Sequence, residues 1–148
     1  MSPFFSICIP ATGRSRTIER ALKSILSQDF EDFEVIVTTR NDKLTYNIVD
    51  KLDVSHRITN VSINEERKDC NDWNDSILLA SGRYIVVLEG DDYFYDNYLQ
   101  NSFKIINKFD FDICLFATTN RDLIPNPFSF DGHDFYNFIY SLKAIPAP

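Results

Sequence analysis

The chain is poor in glycine, with 4 in 148 residues, and holds one methionine and one tryptophan. So little glycine excludes collagen-like and low-complexity classes. Neither a phosphate-cradling P-loop nor a GxGxxG run occurs, so the usual ATPase and dinucleotide signatures are missing. There is no GxSxG nucleophile elbow either. His56 and His133 lie far apart, without metal-site spacing, and read as solvated or structural. Positive charge is in deficit: 15 basic side chains stand against 22 acidic ones, for a net −7. That balance argues against nucleic acid as a partner, because phosphate contacts need Lys and Arg. Three cysteines, Cys8, Cys70 and Cys114, show no CxxC spacing and make no disulfide framework. Cys8 and Cys114 sit in apolar runs and read as small buried hydrophobes. No apolar run approaches the ~18 residues of a membrane span, and Phe4 to Ile9 is too short for a signal segment. Together these absences predict a soluble chain of a reducing cytoplasm.

What is present is a folded composition: 44% hydrophobic, 14% aromatic and 25% charged residues. Phe4 to Ile9 is a short apolar run stopped by Pro10 and reads as a buried strand. Ile18, Ala21, Leu22, Ile25 and Leu26 recur at helical spacing, with Ser15 or Thr17 as possible caps. Strands are expected at Phe33 to Val37, Ile58 to Ile63, Tyr84 to Leu88 and Phe111 to Ala117. Helices are expected from Leu44 to Leu52, around Trp73, Ile77 and Ala80 with Gly82 ending it, and around Leu99, Phe103 and Ile106. Strands alternating with helices, and apolar enough to be buried on both faces, define an α/β class: a three-layer, open, mainly parallel sheet. After Thr119 the pattern breaks down, and the chain reads as interrupted at Pro148. Tail aromatics Phe128, Phe130, Phe135, Tyr136 and Phe138 are expected to favour self-association where they lie uncovered.

Open parallel sheets bind ligands at the carboxyl ends of their strands. The residues to inspect are therefore Pro10 to Arg14, Thr38 to Asp42, and Glu89-Gly90-Asp91-Asp92. The last group crowds three carboxylates at one strand end, which is repulsive unless a cation or protons compensate. Oxygen ligands of this kind suit Mg2+ or Mn2+ shared with substrate phosphates. On four residues alone, a plain turn with Asp92 or Asp96 capping the next helix explains as much.

Taken in order, these pieces resemble a family 2 glycosyltransferase. That family opens with a strand, Pro-Thr-Tyr-Asn-Arg and a helix; here stand Ile7-Cys8-Ile9-Pro10-Ala11-Thr12-Gly13-Arg14. Later it shows Asn, then Ala-x-Gly-x-Tyr, then a strand ending in a DXD motif. Here these are Asn74, Ala80-Ser81-Gly82-Arg83-Tyr84, and Leu88-Glu89-Gly90-Asp91-Asp92-Tyr93, the last similar to bacterial surface-polysaccharide enzymes. The resemblance covers roughly residues 4 to 118 and makes the plain turn the weaker reading.

The resemblance implies a Rossmann-like GT-A fold that binds a nucleotide-diphospho sugar and transfers the sugar, with inversion, to an acceptor hydroxyl of a glycan or lipid-linked acceptor. Residues 1–119 would form the donor-binding part and 120–148 the start of a truncated acceptor-side region. The location it implies is the cytoplasm, free or peripheral to the inner face of the membrane. Asp91 aligns with the last DXD carboxylate and is the first choice of metal ligand, with Glu89 second; the ion would be Mg2+ or Mn2+. Pro10, Thr12, Arg14, Thr39, Asn41, Arg67, Lys68, Glu89, Gly90 and Asp91 are the expected nucleotide-sugar contacts. For Arg67 and Lys68 a solvated charged face is an equal alternative. Two departures stand out. Strand two ends in Thr39-Arg40 where the family carries Asp-Asp, which puts base recognition in question; Asn41 or Asp42 are possible substitutes. The family also continues for roughly a hundred residues more, carrying the acceptor site and general base; Asp131 and Asp134 sit in no such motif. These departures motivate the competing expectation, a module that binds a nucleotide without turnover.

Overall fold

The computed structural model describes residues 2–52, 57–63 and 72–109. In chain order the elements are β1 (Phe5–Pro10), α1 (Ile18–Leu26), β2 (Phe33–Arg40), α2 (Lys43–Leu52), β3 (Ile58–Ile63), α3 (Asp72–Leu78), β4 (Tyr84–Val87) and α4 (Tyr98–Phe109). The expected strand at Phe111 to Ala117 and the tail aromatics lie outside the described residues, as do Arg67 and Lys68. The chain divides into two units, Met1–Lys104 and Ile105–Pro148. The strands, α1 to α3 and the first half of α4 belong to the first.

The four strands form one sheet in the order β3-β2-β1-β4, every pairing parallel. Parallel pairing needs crossovers, and the helices between strands supply them. β1 is central and all six of its residues are buried, as its unbroken apolar run requires. Successive side chains alternate between faces. Ser6 and Cys8 point to the side of α3, where the Cys8 thiol donates to the Ser76 carbonyl at 3.4 Å. Burial pushes that thiol up to about 11, so it remains a packing group. Phe5, Ile7 and Ile9 point the other way. α1 buries Ile18, Ala21, Leu22 and Ile25, one apolar stripe at helical spacing. Phe4, Phe5, Phe30, Tyr84 and Phe103 form a ring cluster, with centroids 4.7 to 6.5 Å apart.

A second face of α1 does something the sequence reading missed. Arg20, Ser24 and Gln28, four residues apart, lie one above another on the helix and its C-terminal extension. The Arg20 guanidinium donates to the Asp91 carbonyl and lies 4.9 Å from the Tyr93 ring centroid. The Ser24 hydroxyl accepts from Phe94 N–H at 3.0 Å. Gln28 donates to the Tyr95 carbonyl at 3.0 Å and accepts from Leu99 N–H at 3.1 Å. The stripe zips the segment after β4 onto α1. It also answers the backbone donor of Leu99 at the start of α4, the task expected of Asp92 or Asp96. Asp92 instead closes a turn, its N–H donating to the Glu89 carbonyl at 2.9 Å. Thr17 occupies the N-cap position of α1 without a side-chain cap.

The expected end of α3 needs correction. The helix ends at Leu78, so Gly82 does not terminate it. Gly82 is small because the chain crosses β1 closely there: a Cβ would stand 2.6 Å from Ser6 Oγ and 2.7 Å from Ser6 N. Trp73 and Ile77 lie on α3 as expected, and both are exposed, at 40% and 37%, while Ala80 lies beyond its end. The residue that α3 buries fully is Ser76, because its carbonyl must approach Cys8. At the same end of the sheet Glu34 accepts from Ser6 Oγ (2.6 Å), Ser81 N–H (2.8 Å) and Ser81 Oγ (2.9 Å). Ser6 Oγ in turn accepts from Gly82 N–H at 2.7 Å.

Candidate functional site

The carboxyl ends of β1, β2 and β4 open onto one cleft of about 240 Å3. Pro10, Thr12 and Arg14 line it from the loop after β1, and Glu89 from the end of β4. These four were expected from sequence. Arg40, Asp72 and Trp73 line it as well and were not.

On the β4 side, Arg14 reaches both acids. Its Nη2 is 3.8 Å from Glu89 Oε2 and its Nε is 3.5 Å from Asp91 Oδ1. These are long, half-exposed pairs, so the guanidinium offsets the local negative charge without locking it. Gly90 between them is buried because Arg14 passes over it; a Cβ there would meet Arg14 Cγ at 2.9 Å. Glu89 and Asp91 thus both lie within 4 Å of the one Arg14 guanidinium. Two carboxylates plus ligand oxygens are a donor set that Mg2+ or Mn2+ accepts. Among the described residues no group of three or more His, Cys, Asp or Glu gathers as a metal cage.

On the β2 side the polarity is organised differently. Arg40 Nε pairs with Asp72 Oδ1 at 3.2 Å, and its Nη2 pairs with Asp75. Both acids lie in the first turn of α3. Asp72 also accepts from the Thr12 hydroxyl, and Thr12 Oγ1 accepts from Arg40 N–H at 2.8 Å. The cleft wall is thus a closed set joining β1, β2 and α3. The charge reversal at Arg40 is balanced from α3. The visible signal was the Asp72-x-x-Asp75 spacing beside a lone tryptophan, together with a strand-end arginine that needed a counter-charge.

Thr39 is placed elsewhere. Thr38 faces α3, its hydroxyl donating to the Asp72 carbonyl at 2.8 Å, so alternation turns Thr39 to the opposite face. There it is fully buried, and its hydroxyl has no hydrogen-bond partner among the described residues. Asn41 is exposed in a left-handed turn at φ 50° and does not line the cleft. Asp42 caps α2: it accepts from Thr45 N–H (3.1 Å) and Thr45 Oγ1 (2.6 Å). It also accepts from Gly13 N–H at 2.7 Å, which fixes the β1 loop. Burial works to raise the Asp42 carboxyl, but these hydrogen bonds outweigh it and hold it below the ordinary value.

A parallel α/β sheet with a polar cleft at the carboxyl ends of its strands is the architecture in which open α/β folds bind their ligands. The chain matches Glycosyl transferase family 2 over residues 6–143, and it belongs to that family. The match extends beyond the stretch recognised in the sequence and into the tail. The chain is 31% identical over 93 residues to the GalNAc(5)-diNAcBac-PP-undecaprenol beta-1,3-glucosyltransferase of Campylobacter jejuni, covering 61% of this chain and 30% of that protein. Its fold is similar to that of Staphylococcus aureus TarS 1-349 in complex with UDP-GlcNAc (TM-score 0.63, 25% identity, 73% of this chain and 32% of that one). It is also similar to the mannosyltransferase PcManGT of Pyrobaculum calidifontis in complex with GDP-Man and Mn2+ (TM-score 0.62, 23% identity, 72% and 33%). These likenesses establish the GT-A type of α/β fold. The chain spans about a third of the length of the curated relatives it matches, from 30% to 36% for the first three. Among the described residues no helix is long and apolar enough to cross a membrane.

Proposed function

We propose that residues 1–119 form the donor-binding part of an inverting, metal-dependent glycosyltransferase acting on a nucleotide-diphospho sugar. The acceptor would be the hydroxyl of a glycan or lipid-linked acceptor, and the setting the cytoplasm, at or near the inner membrane face. The observation that carries this reading is the convergence of Thr12, Arg14, Glu89 and Asp91 at the ends of adjacent parallel strands, with one guanidinium between two carboxylates. Family membership supplies the reaction class, and the TarS and PcManGT complexes support a nucleotide sugar and a divalent ion.

In the reaction, an acceptor oxygen forms a bond to the anomeric carbon as the bond from that carbon to the diphosphate breaks. The acceptor proton passes to a carboxylate base, and the nucleoside diphosphate leaves. A divalent cation at Asp91 and Glu89 would offset the charge that builds on the departing diphosphate. Arg14 is placed to turn from the two carboxylates to that same diphosphate. Thr12 and Pro10 shape the floor over which the nucleotide lies, and the Asp42–Gly13 bond holds that floor in place. The likeness to transferases in sequence and in fold favours turnover by the whole protein over a module that binds without it.

Calorimetry with UDP and GDP, with and without Mn2+ or Mg2+, tests the reading. Binding should require the metal, and Asp91→Ala should remove that requirement together with most of the affinity. Metal-independent binding, or binding unchanged in Asp91→Ala, would take Asp91 out of the site. The tail aromatics carry a separate expectation of self-association, which a strictly monomeric elution in size-exclusion chromatography would oppose.

A further inference from the structure

Trp73 makes no ring–ring or cation–π contact among the described residues that accounts for its place. It is the single tryptophan of the chain and the one aromatic among the described residues lining the cleft. It is 40% exposed. A short amphipathic helix ordinarily turns its largest apolar side chain inward. This one buries Ser76 and leaves the indole at the cleft.

The helix turn that carries the indole is held by contacts of Asp72, of Asp75 and of the Trp73 carbonyl. Asp72 is held by Thr12 and by Arg40 Nε at 3.2 Å, and its carbonyl by Thr38 Oγ1 at 2.8 Å. Asp75 is held by Arg40. The Trp73 carbonyl accepts from Ser76 Oγ at 2.8 Å. An exposed planar ring on a rigid mount is a stacking surface that needs little ordering on binding.

Its position selects the ligand part. Across the strand ends the cleft runs from Arg40 at the end of β2, with Asp72 and Trp73 of α3 beside it, over Thr12 after β1, to Glu89 after β4. A ligand whose anionic centre lies between Arg14 and the β4 carboxylates extends its other end over β1 toward the indole. On the reading of this cleft as a nucleotide site, that end is the base.

We propose that Trp73 is the stacking surface for the nucleobase of the donor, so that the base is held from α3, next to the Arg40–Asp72 pair. The sequence pattern fits: the opening loop reads Ala11-Thr12-Gly13 and carries no aromatic of its own.

The single tryptophan makes the test direct. Intrinsic emission is titrated with UDP, GDP, CDP and ADP, and with inorganic pyrophosphate, all with Mg2+, and affinities are measured in parallel by calorimetry. At least one nucleoside diphosphate should change the emission of Trp73, while pyrophosphate should leave it unchanged. Trp73→Ala should weaken nucleoside diphosphate binding about tenfold to a hundredfold and leave pyrophosphate binding unaltered. Trp73→Phe should recover most of the loss. Far-UV circular dichroism checks that both variants stay folded. Nucleoside diphosphate binding of equal affinity to Trp73→Ala, with no emission change in the parent, would overturn this proposal and leave the donor site standing. An emission change with pyrophosphate as large as that with the nucleotide would assign the indole to the anion end and overturn it too. Absence of binding by all four nucleotides would instead overturn the donor-site reading on which it rests.

Discussion

Gly82→Ala should be strongly destabilising, far more so than Gly90→Ala. The new Cβ would lie 2.6 Å from Ser6 Oγ, 2.7 Å from Ser6 N and 2.8 Å from the Phe5 carbonyl carbon. Ordinary non-bonded carbon contacts are about 3.5–4.0 Å, so the overlap is on the order of 1 Å. Two of the three obstacles are backbone of β1, which is paired on both sides, to β2 and to β4. That strand cannot retreat without breaking one ladder. Overpacking of this kind costs about 1–3 kcal/mol. Displacing Gly82 also breaks its N–H bond to Ser6 Oγ and disturbs the Ser6–Glu34 bond, about 1 kcal/mol more. A loss of about 3 kcal/mol corresponds to roughly 10 °C in Tm for a chain of this size. Urea unfolding followed by circular dichroism measures it, with Gly90→Ala as the control. There the methyl meets only Arg14 Cγ and Cβ, at 2.9 and 3.0 Å, and a flexible arginine yields. Gly90→Ala should therefore leave stability within about 1 kcal/mol of the parent while moving Arg14. Equal stability of Gly82→Ala and the parent would refute the close-approach argument.

Further outcomes follow from the same contacts. Gln28→Ala removes the acceptor of the fully buried Leu99's N–H; an unanswered buried donor costs about 1–3 kcal/mol, read as a lower urea midpoint with faster amide exchange at Leu99. Arg40→Ala leaves Asp72 and Asp75 facing each other in a mostly buried wall. It should cost about 2 kcal/mol and be partly rescued by adding Asp75→Asn. Glu34 and Asp42 both titrate below their ordinary values of 4.5 and 3.8: burial raises each, and hydrogen bonds from Ser6, Ser81 and Gly82, or from Thr45 and Gly13, more than reverse it. A depressed folded-state pKa adds stability that is present above the unfolded value and lost as pH falls through the folded one. Stability should thus fall as pH drops below about 4.5, and Glu34→Gln should flatten that slope; an unchanged slope would contradict it.

The parts of the fold carried by uninterrupted apolar pattern were legible in the sequence. β3 was expected at the residues it occupies, and β1 and α1 within a residue, because burial on both faces or on one stripe leaves a direct trace in residue type. Features set by strand parity and by partners far along the chain were not legible. β2 runs to Arg40, three residues past the expected end, and that extension decides that Thr38 meets α3 while Thr39 is buried away from the cleft. α3 was legible as a helix around Trp73 and Ile77, but not which of its residues it buries. Contact with Cys8 turned Ser76 inward and left the indole at the cleft. The stripe Arg20, Ser24 and Gln28 is plain helical surface in the sequence, and only the return of the chain after β4 gives it partners. At the site, the loop after β1 and the acidic end of β4 were visible as strand-end motifs. That Arg40 pairs with Asp72 and Asp75 was not, because the arginine lies more than thirty residues before the two acids and meets them only in the folded chain.

The proposed activity requires a cation shared between a nucleoside diphosphate and the carboxyl end of β4. Paramagnetic broadening by Mn2+ in isotope-labelled protein, with a saturating nucleoside diphosphate present, tests it most directly. Amide signals of Arg14, Gly90 and Asp91 should broaden at substoichiometric Mn2+, while those of Glu34 and Gly82, at the opposite end of the same strands, should stay sharp. Sharp Gly90 and Asp91 signals under those conditions, or broadening centred anywhere else, would contradict the assignment of the donor site.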